Sequence, residues 1–162
     1  MKTSSNGLNL IKSFEGLKLT AYSDSTGTPT IGYGHTSGVR LGQTITEAQA
    51  VAYLASDVAN AEKAINKGGY NLNQNQFDAL VSLLYNTGAG ILPNFAAMLK
   101  ADPNQAGITD KMLKYVYSKG VFIQGLANRR AKEVALYKKK FYDNFRLYNY
   151  CNLGCFRHFN YL

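Results

Sequence analysis

Apolar residues along the chain fall into short runs whose spacing changes from helical to alternating and back. Leu8, Ile11 and Phe14 recur at helical steps behind the cap candidates Ser4, Ser5 and Asn6, and Gly16 follows as a natural C-cap. The pattern predicts a short helix closed by Glu15. Leu19–Tyr22 and Thr30–Gly34 then read as two β segments joined by a turn rich in Ser, Thr and Gly over Ser23–Pro29. Ile45, Thr46 and Gln49 form a capping-box start, and Val51, Leu54, Val58, Ala61 and Ile65 continue from it. They predict one amphipathic helix, a long connector between two lobes. Leu72, Asn73, Gln76 and Phe77 repeat the device, with Leu72 and Phe77 as a hydrophobic staple ahead of Leu80 and Leu84. Pro93 and Asp102-Pro103 punctuate shorter helices, Thr109 starts another, and Asn128 or the residues just before it start the last. Val134, Tyr137, Phe141, Phe145 and Tyr148 keep helical steps, so that helix is expected to run on into the C-terminal segment. The fold class is therefore α+β, with a small β-hairpin region near the N-terminus and helices after it. No repeat of solenoid period is visible.

The stretch FEGLKLTAYSDSTGTPTIGYGHT, Phe14 to Thr36, concentrates the candidate chemistry. A hairpin across Ser23–Pro29 brings Asp24 and Thr30 beside each other. The negative end of a helix disfavours a carboxylate charge, a suitable setting for a proton donor at Glu15, whereas Asp24 in a polar turn is expected to stay ionised. Two acids with separate environments are what cleavage of a glycosidic bond requires, one to protonate the leaving oxygen and one to serve the opposite face of the sugar. With ten acidic residues in the chain, two solvated surface charges remain the competing reading of that spacing alone.

Those residues, in that order, resemble the active-site segment of the phage-type lysozymes, glycoside hydrolase family 24. Glu15, Asp24, Thr30 and the run Gly32-Tyr33-Gly34-His35 carry the likeness, with NQFDALVSLLYNTGAG (Asn75 to Gly90) and GLANRRAKEVALY (Gly125 to Tyr137) following. The resemblance implies a lysozyme-like fold over residues 1–142. It also implies a peptidoglycan muramidase that cuts the β-1,4 bond between N-acetylmuramic acid and N-acetylglucosamine, with no metal or organic cofactor. Glu15 falls on the general acid, Asp24 on the carboxylate that orients the attacking water, and Thr30 on the hydroxyl that helps hold that water. The family is described as inverting, which needs carboxyls further apart than the ~5 Å of a retaining pair. Asn86 and Tyr33 fall on sugar contacts, although Asn86 and Gly88 also read as the end of a helix. The matching His pairs with an Asp on the next helix, here His35 with Asp57; a general-base role is the alternative. Arg130 falls on the residue that reaches the acid's carboxylate, with Arg129 as the alternative register and a solvated helix face as the plain reading of both. The chain lacks Trp, and Tyr117 stands where relatives often carry one.

Length and charge narrow the partners. At 162 residues and 46% apolar, the chain is long enough to bury roughly two thirds of its unfolded surface as one domain, and it is expected to be a monomer. The net charge of +8 is concentrated in Arg129, Arg130, Lys132, Lys138, Lys139 and Lys140, against the single Glu133. Nucleic acid is the obvious rival partner, but no nucleic-acid motif is present and the aromatics do not interleave with the basic run, so none is expected. Anionic bacterial walls suit the charge as well. No continuous apolar segment of signal-peptide or membrane-span length is seen. The expectation is an endolysin held in the host cytoplasm until a separate holin-type pore gives it access to the periplasm or wall; delivery with the virion is the other route. The segment 143–162 lies outside the resemblance. Its Cys151, Cys155 and His158 form only a weak, three-ligand zinc pattern; reduced cysteines on an extended helix, or contact of the aromatics and Arg146 and Arg157 with a membrane surface, are the other readings.

Overall fold

The computed structural model describes residues 1–139. Helix α1 (Ser5–Glu15) starts at Ser4, whose hydroxyl caps the Gly7 amide, and ends at Gly16, whose φ of +70° breaks the helix. Strands β1 (Lys18–Ser23) and β2 (Pro29–Gly32) follow as an antiparallel hairpin pairing Tyr22 with Thr30 and Ser23 with Pro29. The expected helix and hairpin are both present, but β2 stops at Gly32, and Tyr33 and Gly34 turn the chain instead of extending the strand.

Thr46 and Gln49 close the capping box of α2 (Glu47–Asp57), but the expected single connector is two helices, with α3 (Ala59–Gly68) beginning just beyond Val58. The 3.0 Å bonds from Val58 to Leu54 and from Glu62 to Val58 carry the ladder across the joint, so the break is a kink. The two halves serve different neighbours: α2 packs on β2, and α3 packs on α4 (Gln74–Thr87). Leu54, Val58, Ala61 and Ile65 of the predicted stripe are buried across the kink and Val51 is partly buried, with Ala50 beside it taking the buried position, so the amphipathic stripe is largely real but not straight.

Helix α4 is the core of the molecule. Asn73 and Gln76 form its capping box, every residue from Asn75 to Leu84 is buried, and it packs against α1, α3 and α7 (Gln124–Lys138). Burial of Phe77, Leu80, Leu83 and Leu84 contributes about 1.5–3 kcal/mol each. A 3-10 turn (Ala89–Ile91), α5 (Pro93–Ala101, with Pro at its first position) and α6 (Ala106–Met112) come next. Thr109 does not start α6: it is buried in mid-helix with its hydroxyl on the Ala106 carbonyl, and the helix begins after Gln105.

A second hairpin, β3 (Tyr117–Ser118) and β4 (Val121–Phe122), was not foreseen in the helical half. Lys119 and Gly120 both take positive φ, the two-residue turn that matches strand twist. Helix α7 starts at Gln124, among the residues before Asn128, and Asn128 itself accepts a bond from the Gln124 side chain. It ends at Lys138; Lys139 is extended and its carbonyl accepts from Asn75, so the helix does not run on unbroken. The segment 143–162, with Cys151, Cys155 and His158, lies outside the described residues. Among those described, no helix is long and apolar enough to cross a membrane.

Candidate active site

Glu15 is the last residue of α1, and the opposite end of that helix is moored to α4. The Ser4 amide donates to Asp78 Oδ1 at 2.9 Å and the Ser4 hydroxyl to Asp78 Oδ2. With its start tied down, α1 delivers Glu15 to a cleft of about 620 Å³ lined by Gly34, Asp57, Asn60, Tyr85 and Asn86 among others. The Glu15 side chain is 24% exposed, and Arg129 Nη1 donates to its Oε1 at 2.6 Å. Oε2 is directed toward Gly34, where an added Cβ would sit 3.9 Å from it.

The partner of Glu15 is therefore Arg129, and the expectation of Arg130 is corrected. Successive helical residues are turned about 100° from one another, so only one arginine of the pair can face α1. Arg129 takes that face, lying 4.8 Å over the Phe14 ring, with Nε on Glu133 Oε1 at 3.1 Å and Nη2 on the Ser82 carbonyl at 3.3 Å. Arg130, wholly buried, turns to α4 and donates Nη2 to Asn86 Oδ1 at 3.0 Å. Neither arginine belongs to a solvated basic face. Burial lowers the Arg130 pKa and raises that of Glu133, each countered by the other's charge.

His35 and Asp57 meet as expected. Nδ1 lies 2.9 and 3.0 Å from the two carboxylate oxygens, and the imidazole stacks on Tyr53 with centroids 4.3 Å apart. The pair joins the end of β2 to the end of α2 at the cleft wall. Tyr33 is corrected: it is 6% exposed in the core, with Lys12 Nζ 5.3 Å above its ring, and its side chain is not offered to a ligand. What it contributes is its carbonyl, which accepts from the Tyr85 hydroxyl at 2.8 Å. Burial, then the charges of Glu15 and Asp57, push the Tyr85 pKa up, so that hydroxyl stays a donor. Asn86 lines the cleft from the last turn of α4, and Gly88 caps the helix, as the reading of a helix end there has it.

Asp24 and Thr30 sit in the β1–β2 hairpin, outside the lining of this cleft. Asp24 Oδ1 accepts from the Thr26 hydroxyl at 2.7 Å, the Thr26 amide at 2.8 Å and the Thr28 amide at 2.9 Å. Those donors, the Thr26 hydroxyl first, hold its pKa below the ordinary carboxylate value, as the polar turn foretold. Thr30 is 4% exposed and its hydroxyl donates to the Thr28 carbonyl at 3.0 Å. Among the described residues no hydrogen bond links Glu15, Asp24 and Thr30 to one another, and no group of acidic, His or Cys side chains is arranged to hold a metal ion.

The phage lysozyme family model matches residues 12–133, a span that contains the whole cleft. The chain belongs to the phage lysozyme family. Against an endolysin of Lactococcus phage c2 it is 43% identical over 89% of its own length, and the match spans 63% of that relative. Among solved structures, an endolysin from Escherichia coli O157:H7 phage FAHEc1 superposes with a TM-score of 0.79 at 40% identity, covering 88% of this chain and 96% of that one. The muramidase domain of SpmX from Asticaccaulis excentricus superposes with a TM-score of 0.75 at 33% identity, covering 86% and 99%. This phage lysozyme-family chain is thus α+β and lysozyme-like, as read from its sequence. Sequence reasoning missed Tyr85, Ser82 and Glu133. Only Glu133 left a signal, its four-residue spacing from Arg129 on one helix face.

Proposed function

We propose that this protein is an endolysin-type lysozyme that hydrolyses the β-1,4 bond between N-acetylmuramic acid and N-acetylglucosamine in bacterial peptidoglycan. The observation that carries the reading is Glu15 at the cleft: one carboxyl oxygen is fixed by Arg129 at 2.6 Å, and the other is directed toward Gly34 on the cleft wall. Relatives named as endolysins and a structural neighbour named as a muramidase domain support it. Glu15 donates a proton to the glycosidic oxygen as the bond to the anomeric carbon breaks. Asp24, kept ionised by its turn, orients a water on the opposite face and takes its proton, with the hydroxyl of Thr30, which pairs with Tyr22 in the same hairpin, helping to hold that water. The product is the inverted anomer. Asn86 contacts the sugar, and the pair of His35 and Asp57 holds the cleft wall.

The lysozyme-like unit spans residues 1–142 and acts as a monomer on the wall. It is held in the host cytoplasm until a holin-type pore opens a route to the periplasm. Digestion of purified peptidoglycan, followed by borohydride reduction and sugar analysis, tests the bond. Reduced muramic acid is expected; reduced glucosamine would replace the muramidase with a glucosaminidase. Proton NMR of the first product formed tests the stereochemistry, with the α anomer expected and the β anomer marking a retaining enzyme.

A further inference from the structure

Glu133 is wholly buried at the junction of two guanidiniums. Its Oε1 accepts from Arg129 Nε at 3.1 Å, Arg130 Nη2 at 3.0 Å and the Ser82 hydroxyl at 2.7 Å, and its Oε2 lies 2.7 Å from Arg130 Nε. Beyond this carboxylate the arginines diverge. Arg129 Nη1 reaches Glu15 on α1 at 2.6 Å, while Arg130 Nη2 reaches Asn86 on α4 at 3.0 Å. A single buried acid on α7 thereby connects two cleft residues carried by two other helices. Both arginines are used, and each also bonds a residue that lines the cleft. Without the carboxylate, two buried cations on neighbouring residues repel, and each keeps several flexible torsions.

We propose that Glu133 is a positioning residue that locks Arg129 and Arg130 into one unit and so sets Glu15 and Asn86 relative to each other across the cleft. The inference rests on the reading of Glu15 as the proton donor. It makes the proton donor and a sugar contact depend on one group that touches no substrate. Loss of the lock misplaces both.

The test is Glu133→Gln, which keeps the shape and removes the charge, compared with Leu99→Ala, a cavity variant of the buried core in α5 that serves as a destabilised control. Expected for Glu133→Gln is a fall in kcat of roughly 10- to 100-fold together with a raised KM. Leu99→Ala is expected to keep both constants within about twofold below its melting temperature. Side-chain NMR of the arginine Nε–Hε groups gives a readout free of activity: slow solvent exchange in wild type, faster exchange of both signals in Glu133→Gln. If that variant does not fold, Arg130→Met with Glu133→Gln restores the buried charge balance and is expected to show the same loss of kcat and the same faster exchange at Arg129. Constants within twofold of wild type, or a loss matched by Leu99→Ala, overturn the proposal. Unchanged arginine exchange does so too. A wild type that clears no peptidoglycan overturns the proposed function instead, while the NMR comparison still reports whether Glu133 holds the arginines.

Discussion

Gly34 illustrates how a backbone position serves the site. Its φ of +98° turns the chain at the cleft wall, and an added Cβ would stand 3.4 Å from the Tyr85 hydroxyl, an ordinary contact. Space is therefore not the obstacle to a side chain there; conformation is. Gly34→Ala is expected to cost about 1–3 kcal/mol, read as a lower melting temperature. Arg129→Lys keeps a positive charge but not the fork that holds Glu15, Glu133 and the Ser82 carbonyl together, and a fall in kcat of roughly 10- to 100-fold is expected. Activity equal to wild type in steady-state assays would remove Arg129 from the site. At this scale the sequence announced Glu15 at the cleft and the pairing of His35 with Asp57 through ordered motifs, while Asp24 lies in the hairpin outside the cleft lining. It did not choose between Arg129 and Arg130, because adjacent identical residues differ only in the helix face they occupy, which packing decides. Nor did it reveal that Tyr33 is buried, since an aromatic between two glycines reads equally well as a wall or as a filling.

Helix starts were legible where a side chain does the capping. Ser4, Thr46 and Asn73 each sit at the predicted N-cap, and their bonds account for donors that no helix can satisfy internally. Asn73→Ala is expected to cost about 1 kcal/mol, lowering the melting temperature by about 2–4 °C while leaving cleft geometry alone. Starts without such a bond were misplaced or left unfixed: α6 begins after Gln105 and not at Thr109, and α7 begins after Ile123, ahead of Asn128, neither Gln105 nor Ile123 capping through its side chain. The kink at Val58 has no Pro or Gly to announce it, and arises where α2 and α3 pack on different neighbours. The second hairpin was hidden because its strands are two residues long and expose Tyr117, Val121 and Phe122, so neither alternation nor burial marks them.

Across the whole molecule, the first residues are stitched to the helical half through Glu62. The Lys2 ammonium donates to it at 2.7 Å, and the Thr3 amide and hydroxyl each donate at 2.8 Å. Burial works against its charge, but these donors prevail and hold the carboxyl below its ordinary value. A depressed acid stabilises the fold above its unfolded value of 4.5, and that contribution disappears as pH falls through the lowered value. Wild type is therefore expected to melt higher than Glu62→Gln near neutrality, with the gap closing in acid; a gap independent of pH would contradict the assignment. The net charge of +8 predicts a second whole-molecule effect. Binding to anionic walls weakens as salt rises, measurable as retention on purified walls between low and moderate ionic strength. Part of the charge legible in sequence is internal, since Arg129 and Arg130 are enclosed with Glu133. The central claim is that Glu15 is the proton donor of a wall hydrolase. The fall in turbidity of purified peptidoglycan with wild type and Glu15→Gln side by side tests it most directly: clearing by wild type and none by a folded Glu15→Gln is predicted, and equal clearing by both would contradict it.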